Sequence, residues 1–240
     1  KKNKTNRTIG ISKVNYEFLS LNFKEIYKYS WPINKIKVFN NRNNSREFID
    51  FSDENKKNFF LIKYNNLFNL FEKKFKKSIN IHFKLAKSQE LENLEIKKYN
   101  FVINSENENI LTKKYFNKLI KKDYYSDAYT GILNHNKIEN NTAIQIFTKY
   151  GPLAFLPLSN TKTSIVYSIE KKFNLEEKDI KNLIFKFNKF YKLQKLDEFE
   201  KFNLNFSFSR NIIYKNIICL GDLIHKIHPL AGQGFNMTLR

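Results

Sequence analysis

The sequence predicts an α/β protein in which a parallel-sheet domain is interleaved with an α+β subdomain built on an antiparallel sheet. Three observations carry that prediction. First, an apolar run, Ile217 to Leu220, leads into Gly221-Asp222, a glycine-containing loop and a helix start near Gly234, the pattern of a buried strand opening into a loop and helix. Second, apolar runs at Ile144 to Phe147, Leu153 to Leu158 and Ile165 to Ile169 are separated by Tyr150-Gly-Pro152 and Ser159-Asn-Thr-Lys-Thr163, which reads as an antiparallel meander with turn residues at its corners. Third, apolar residues recur at helical spacing on both sides of that meander.

In chain order, Ser12 is positioned to cap a helix whose apolar side holds Val14, Phe18 and Leu21, with Phe23 and Ile26 extending the buried surface. The segments 35–39 and 46–51 flank an Asn-rich turn and read as a hairpin. Leu67, Leu70, Phe71 and Phe75 predict a helix over about 65–77. Short strands are expected between Ile79 and Asn109, the clearest at 99–103. After the meander, Ile180, Leu183, Ile184, Phe187, Phe190 and Tyr191 mark an amphipathic helix with acidic residues at its start, where the helix dipole favours them. Strands at 203–208 and 217–220 follow, the second apolar enough to be buried on both faces. No repeat or flexible linker is evident.

Composition bounds the function. The chain has 240 residues, 41% of them hydrophobic and 16% aromatic, enough to bury a core rather than remain disordered. Its formal charge of +20 comes from 43 Lys and Arg against 23 Asp and Glu. The lysines are spread almost evenly instead of forming a basic face interleaved with aromatics, so nucleic-acid binding is not the reading. A generally basic surface that favours anionic lipid is. Cys219 is the single cysteine and lies in an apolar strand, so an internal disulfide is excluded and a reducing compartment is expected. No apolar run approaches the roughly 18 to 20 residues of a membrane span. The sequence starts at Lys1 rather than methionine and stops at Arg240 shortly after a helix begins, so an internal fragment is expected.

The chemistry concentrates after Leu220. A buried strand ending in Gly221-Asp222 delivers a carboxylate to the carboxyl edge of a sheet, where open α/β sheets bind ligands, and Asp222 can accept hydrogen bonds from sugar or ribitol hydroxyls. Gly232 and Gly234 permit close backbone approach to a flat ligand. A helix starting near Gly234 would turn free amides toward it. Asp222, His225 and His228 could be imagined around a metal, but no further His or Cys is evident nearby, and a soft metal would want one. His225 is read instead as a structural histidine bonding the loop backbone.

The string Gly221-Asp-x-x-His225-x-x-His-Pro229-x-x-Gly232-x-Gly234-x-Asn236 resembles the second flavin-binding motif of the class A flavoprotein monooxygenases, the para-hydroxybenzoate hydroxylase superfamily. In its fuller form, through Gln233, Phe235 and Met237, it is most similar to the ubiquinone-biosynthesis hydroxylases. Weaker likenesses extend along the chain: 6–12, where Arg7 matches an arginine near the flavin; 151–158, similar to a family strand on the substrate side, with Leu153, Phe155 and Pro157 as substrate-side candidates; and Arg210 with Tyr214 before the Gly-Asp strand.

The resemblance implies a Rossmann-like FAD-binding fold, with 1–30, 59–116 and 203–240 in the FAD-binding domain and 31–58 and 117–202 in the substrate-binding sheet and helices. Gly221, Asp222, Pro229, Gly232, Gln233, Gly234, Phe235, Asn236 and Arg7 would bind FAD, and His228 would line the flavin edge. It further implies an NAD(P)H- and dioxygen-dependent monooxygenase that hydroxylates the ring of a polyprenylated phenol in ubiquinone biosynthesis. Such a protein would be cytoplasmic, peripheral on the inner membrane and associated with related enzymes. Two departures keep alternatives open. No Gly-x-Gly-x-x-Gly occurs, so the first βαβ unit is lacking and the fragment alone should hold flavin poorly and be inactive. The family's middle Asp-Gly motif falls near Ser105-Glu106-Asn107, which lacks the glycine. A non-catalytic scaffold for a ubiquinone-biosynthesis complex, or a reductase or halogenase of the superfamily, are the other readings.

Overall fold

The computed structural model describes residues 5–40, 46–52, 59–85, 91, 98–227 and 233–240. The chain divides into two compact units, Lys1–Lys74 with Tyr125–Asn203, and Phe75–Tyr124 with Leu204–Arg240. The first unit opens with β1 (Thr8–Ser12), α1 (Lys13–Asn22), β2 (Ser30–Ile33), β3 (Lys35–Asn40), β4 (Arg46–Ser52), β5 (Phe59–Lys63) and α2 (Tyr64–Lys76), whose last turn enters the second unit. There follow β6 (Val102–Asn104) and α3 (Ile110–Tyr115), then β7 (Leu119–His135), within which the chain returns to the first unit. β8 (Thr142–Thr148), β9 (Gly151–Ser159), β10 (Lys162–Glu170), α4 (Glu177–Phe187) and β11 (Leu193–Leu196) complete that unit. The chain leaves it within β12 (Glu200–Ser209), and β13 (Ile213–Tyr214), β14 (Ile217–Cys219), β15 (His225–Lys226) and α5 (Gln233–Thr238) end the second.

In the first unit the expected meander is present: β8, β9 and β10 run antiparallel, with β7 beyond β10 and the hairpin β3–β4 beyond β8. Register decides which side chains share a face, because neighbours along a strand alternate. Ile144, Phe155 and Ile165 align across three strands, as do Ile146, Leu153 and Tyr167. This face packs against Ile180, Ile184 and Phe187 of α4 and against Tyr191 just past it. The start of α4 is fixed by a capping box between Glu176 and Asp179. Its end is fixed by Asn188, whose amide donates to the Tyr191 carbonyl and whose Oδ1 accepts from the Phe190 and Tyr191 amides. Phe190 and Tyr191, expected within the helix, therefore lie beyond it.

The opposite face carries Ile36, Ala143, Leu156 and Leu158, which meet Trp31, Ile33, Phe59 and Leu61 of a small sheet ordered β1-β5-β2. This packing groups residues 1–30 and 59–74 with the large antiparallel sheet rather than with the Gly-Asp strand. A buried polar cluster closes one end of the core. His135 bonds Thr163 Oγ1 (3.0 Å), the Asn140 amide donates to the Ser159 carbonyl (2.7 Å), and Tyr191 donates to Asn140 Oδ1 (3.2 Å). With partners in place, such groups specify one arrangement instead of costing burial energy.

Helix α1 corrects the sequence reading. Asn15 and Leu19 are its buried residues, and Tyr16 stacks on Phe60 at 3.7 Å. Val14, Phe18 and Leu21 lie on the outer side, all exposed, and Ser12 makes no side-chain cap.

In the second unit β14 pairs in parallel with β6 and antiparallel with β13. Ile217 and Cys219 turn inward onto Phe116 and Leu223, while Ile218 is half-buried and Leu220 exposed, so β14 is packed on one face and not on both as its composition predicts. Burial raises the Cys219 thiol to about 11. Of the strands expected between 79 and 109, β6 is present, and most of 86–97 lies outside the described residues.

Candidate functional site

The carboxyl ends of β6 and β14 lie side by side in the second unit, joined by the Leu220 amide donating to the Asn104 carbonyl at 2.9 Å. Past β14 the chain turns sharply. Gly221 has φ +66 and an added Cβ would meet nothing within 4 Å, so backbone conformation, not space, selects glycine. A single 3₁₀ turn over Gly221–Leu223 follows, closed by the Ile224 amide on the Gly221 carbonyl (2.9 Å). Leu223 anchors the turn in the core while Asp222 stays exposed. The carboxylate therefore stands at the sheet's carboxyl edge with its acceptor oxygens toward solvent, where a hydroxylated ligand can reach it.

Helix α5 packs against this turn. It spans six residues from Gln233, which is exposed; Gly234 and Phe235 are half-buried and Asn236 is buried. At Gly234 an added Cβ would meet, among the described residues, only Ile227 Cγ1, at 3.9 Å. The space beside this glycine is thus open enough for close backbone approach. Pro229, Gly232 and His228 lie outside the described residues.

Two residues matter here that the motif did not supply. Asn104, buried at the end of β6, donates to Thr112 Oγ1 (2.8 Å) and accepts from the Asn109 amide (2.6 Å) and the Glu106 backbone (3.4 Å). Asn109 also caps α3 through the Thr112 amide (2.9 Å). The loop around Ser105-Glu106-Asn107, which lacks the family's glycine, is therefore shaped by one asparagine. His225 is buried, and among the described residues its Nε2 has no hydrogen-bond partner. Most of the loop that the sequence expects it to bond, 228–232, lies outside the described residues. An orphaned ring nitrogen next to the Asp222 turn fits a polar ligand atom, since an unpaired buried polar group is otherwise costly. With Gly221, Asp222 and Gly234, the described residues fit a dinucleotide cofactor.

The remaining predicted residues belong to the first unit. The Arg7 guanidinium lies over the rings of Phe202 (5.2 Å) and Tyr64 (5.9 Å), cation–π contacts that hold its planar head. Leu153 and Phe155 have no exposure and pack under α4, and Pro157 shares their face and is buried. The expectation that they line a substrate is thus corrected: strand alternation sends these three into the core and their neighbours Ala154 and Leu156 to the other side. On that other side the register aligns Thr130 with Val166 and Ile132 with Ser164. The Thr130 and Ser164 hydroxyls are both buried, without a partner among the described residues. A residue-type pattern gives no signal for such a pair; only the register of β7 on β10 reveals it.

Among the described residues no helix is long and apolar enough to cross a membrane. No family model matches the chain. In sequence it is similar to the zebrafish (Danio rerio) mitochondrial ubiquinone biosynthesis monooxygenase COQ6, at 25% identity over 49% of this chain and 33% of that protein. The chain spans about a third of the length of the curated relatives it matches. In structure it matches the p-nitrophenol 4-monooxygenase PnpA of Pseudomonas putida, with TM-score 0.73 and 10% identity over 99% of this chain and 68% of that one. It also matches PqsL, a probable FAD-dependent monooxygenase of Pseudomonas aeruginosa, with TM-score 0.71 and 11% identity over 100% of this chain and 74% of that one. In fold the chain resembles these monooxygenases, and in sequence it is similar to ubiquinone biosynthesis monooxygenases.

Proposed function

We propose that the chain forms the carboxyl-edge part of the FAD site of a monooxygenase that hydroxylates the aromatic ring of a polyprenylated phenol in ubiquinone biosynthesis. The observation that carries this reading is the turn after β14: Gly221 at positive φ, an exposed Asp222 and α5 packed against them, beside a parallel strand end. Asp222 would accept hydrogen bonds from the cofactor's ribityl or ribose hydroxyls. Gly221, Gly232 and Gly234 would clear the approach, the loop through Pro229, Gln233, Phe235 and Asn236 would flank the ring system, and His225 Nε2 would bond a polar ligand atom. Arg7, held between two rings, would offer a fixed cation.

Bound FAD would supply the activation of dioxygen, with NAD(P)H as the source of electrons. The chain's own contribution is positional. It orients the ring and excludes water. A prenylated substrate dissolves in lipid, and a chain of net charge +20 is attracted to an anionic bilayer surface, which supports peripheral work at the membrane. The test is purification of the intact gene product: a yellow protein that oxidises NAD(P)H faster when a phenol is added supports the proposal. A colourless protein that still copurifies with other ubiquinone-biosynthesis enzymes would replace it with the scaffold reading.

A further inference from the structure

On the side of the large sheet that carries α4, a polar cleft of about 390 Å³ opens between β7, the end of β10 and the start of β12, with Ile169 and Leu175 as its apolar wall. Strand alternation puts Asp127 and Tyr129 on this side, because Asp127 pairs with Ile169 and Tyr129 with Tyr167. Thr130 points the other way, so the cleft is separate from the face that Thr130 and Ser164 share. Asp127 is only 7% exposed, and a buried carboxylate is costly unless cations meet it. Two lysines do so: Lys201 Nζ stands 3.0 Å from Asp127 Oδ2, and Lys171 Nζ stands 3.9 Å from Oδ1. One carboxylate thereby gathers two ammonium groups.

The charges in the cleft do not balance. Its other carboxylate, Glu170, is taken by Lys172, which leaves Asp127 to match both Lys171 and Lys201 with a single negative charge. The donors are not used up either. An ammonium has three N–H groups; Lys171 gives one to Asn203 Oδ1 at 2.9 Å and lies beyond hydrogen-bond reach of Asp127. Lys201 is fixed between Asp127 and the Tyr129 ring, 5.6 Å from its centre. We propose that this cleft binds a small organic acid through one carboxylate, which bridges Lys171 and Lys201 while its short carbon chain lies on Ile169 and Leu175. A carboxylate brings the one negative charge that is missing, whereas a dianion would set an excess beside Asp127 and Glu170. The lysine side chains are 42% and 59% exposed, so water screens them and the affinity lies in the millimolar range. The proposal uses no flavin and stands apart from the FAD reading.

The test titrates the intact gene product with butyrate at neutral pH and fixed ionic strength, followed by ligand-observed NMR, with uncharged butyramide and with sulfate as comparisons. Saturable butyrate binding is expected, about tenfold or more tighter than butyramide and tighter than sulfate. Lys201→Gln, at a largely exposed position, should weaken butyrate about tenfold or more, the worth of one charge-assisted hydrogen bond. Asp127→Asn should act in the opposite direction and tighten it, since the two ammonium groups lose the carboxylate that competes for them. A salt bridge that serves the fold alone predicts no such reversal. Should Asp127→Asn fail to fold, Lys171→Gln takes its place and must weaken butyrate as Lys201→Gln does. Absence of saturable binding, equal affinity for butyrate and butyramide, or unchanged affinity in Lys201→Gln would overturn the proposal. Sulfate bound more tightly than butyrate would overturn its ligand class.

Discussion

The large antiparallel sheet and the short parallel pair differ in how completely the chain finishes them. The sheet of β7 to β10 has α4 on one face and the β1-β5-β2 sheet against its other, and its centre holds Leu153, Phe155, Ile165 and Tyr167 with no exposure. The pair β6–β14 has one packed face and an edge bounded by exposed apolar side chains. The difference teaches where to look for stability and where for binding. The sheet carries the fold, and the pair carries the edge at which we propose that the ligand binds.

Phe155→Ala should give the largest effect, a loss of about 3 to 5 kcal/mol in denaturant unfolding, because it opens a cavity in a closed core. Ile103→Ala should stay within about 0.5 kcal/mol, as for a surface position. Equal losses at the two sites would erase the contrast. Asn104→Ala should follow at about 1 to 3 kcal/mol, because Thr112, Asn109 and the Glu106 amide lose their common partner in a buried loop. It should also weaken flavin retention.

Much of the first unit was legible in the sequence, and the reasons are local. β8, β9 and β10 are apolar runs between turn-forming corners, and the acidic start of α4 fits its dipole. β7 was not legible. Its first half, Lys121 to Asp127, is polar, and Tyr125 sits at φ 50 inside the strand, so no period-two pattern marks it. The outer face of α1 was misread because a stripe of Val14, Phe18 and Leu21 signals burial by pattern, while the side turned inward is set by tertiary contacts such as Tyr16 on Phe60. At the site, Gly221-Asp222 announced itself through residue types that a tight turn requires. Asn104 and His225 did not, because the importance of Asn104 comes from a strand end distant in sequence, whose Leu220 amide donates to its carbonyl, and that of His225 from a ring nitrogen without a partner among the described residues.

Alkaline pH sharpens the comparison through two buried acids, one in each unit. Burial raises Tyr167 to about 12 and Cys219 to about 11, each above its ordinary value. Folded values above unfolded ones mean that the unfolded state releases its protons first, so both contributions are complete below about pH 9 and are lost as pH rises toward the folded values. Melting temperature against pH should therefore fall above pH 9, and Cys219→Ala should flatten the early part of that fall. Ser164→Ala should have the smallest effect on folding, neutral or stabilising by up to about 1 kcal/mol, since it deletes a buried hydroxyl without a partner.

The most direct test of the central claim is FAD titration of the intact gene product against its Asp222→Ala variant, with thermal unfolding of the flavin-free forms as the control. Because Asp222 is exposed and its turn is held by Leu223, the two flavin-free proteins should melt alike while the variant binds FAD at least about tenfold more weakly, the worth of a charged hydrogen bond. Equal FAD affinity in the two proteins would contradict the account.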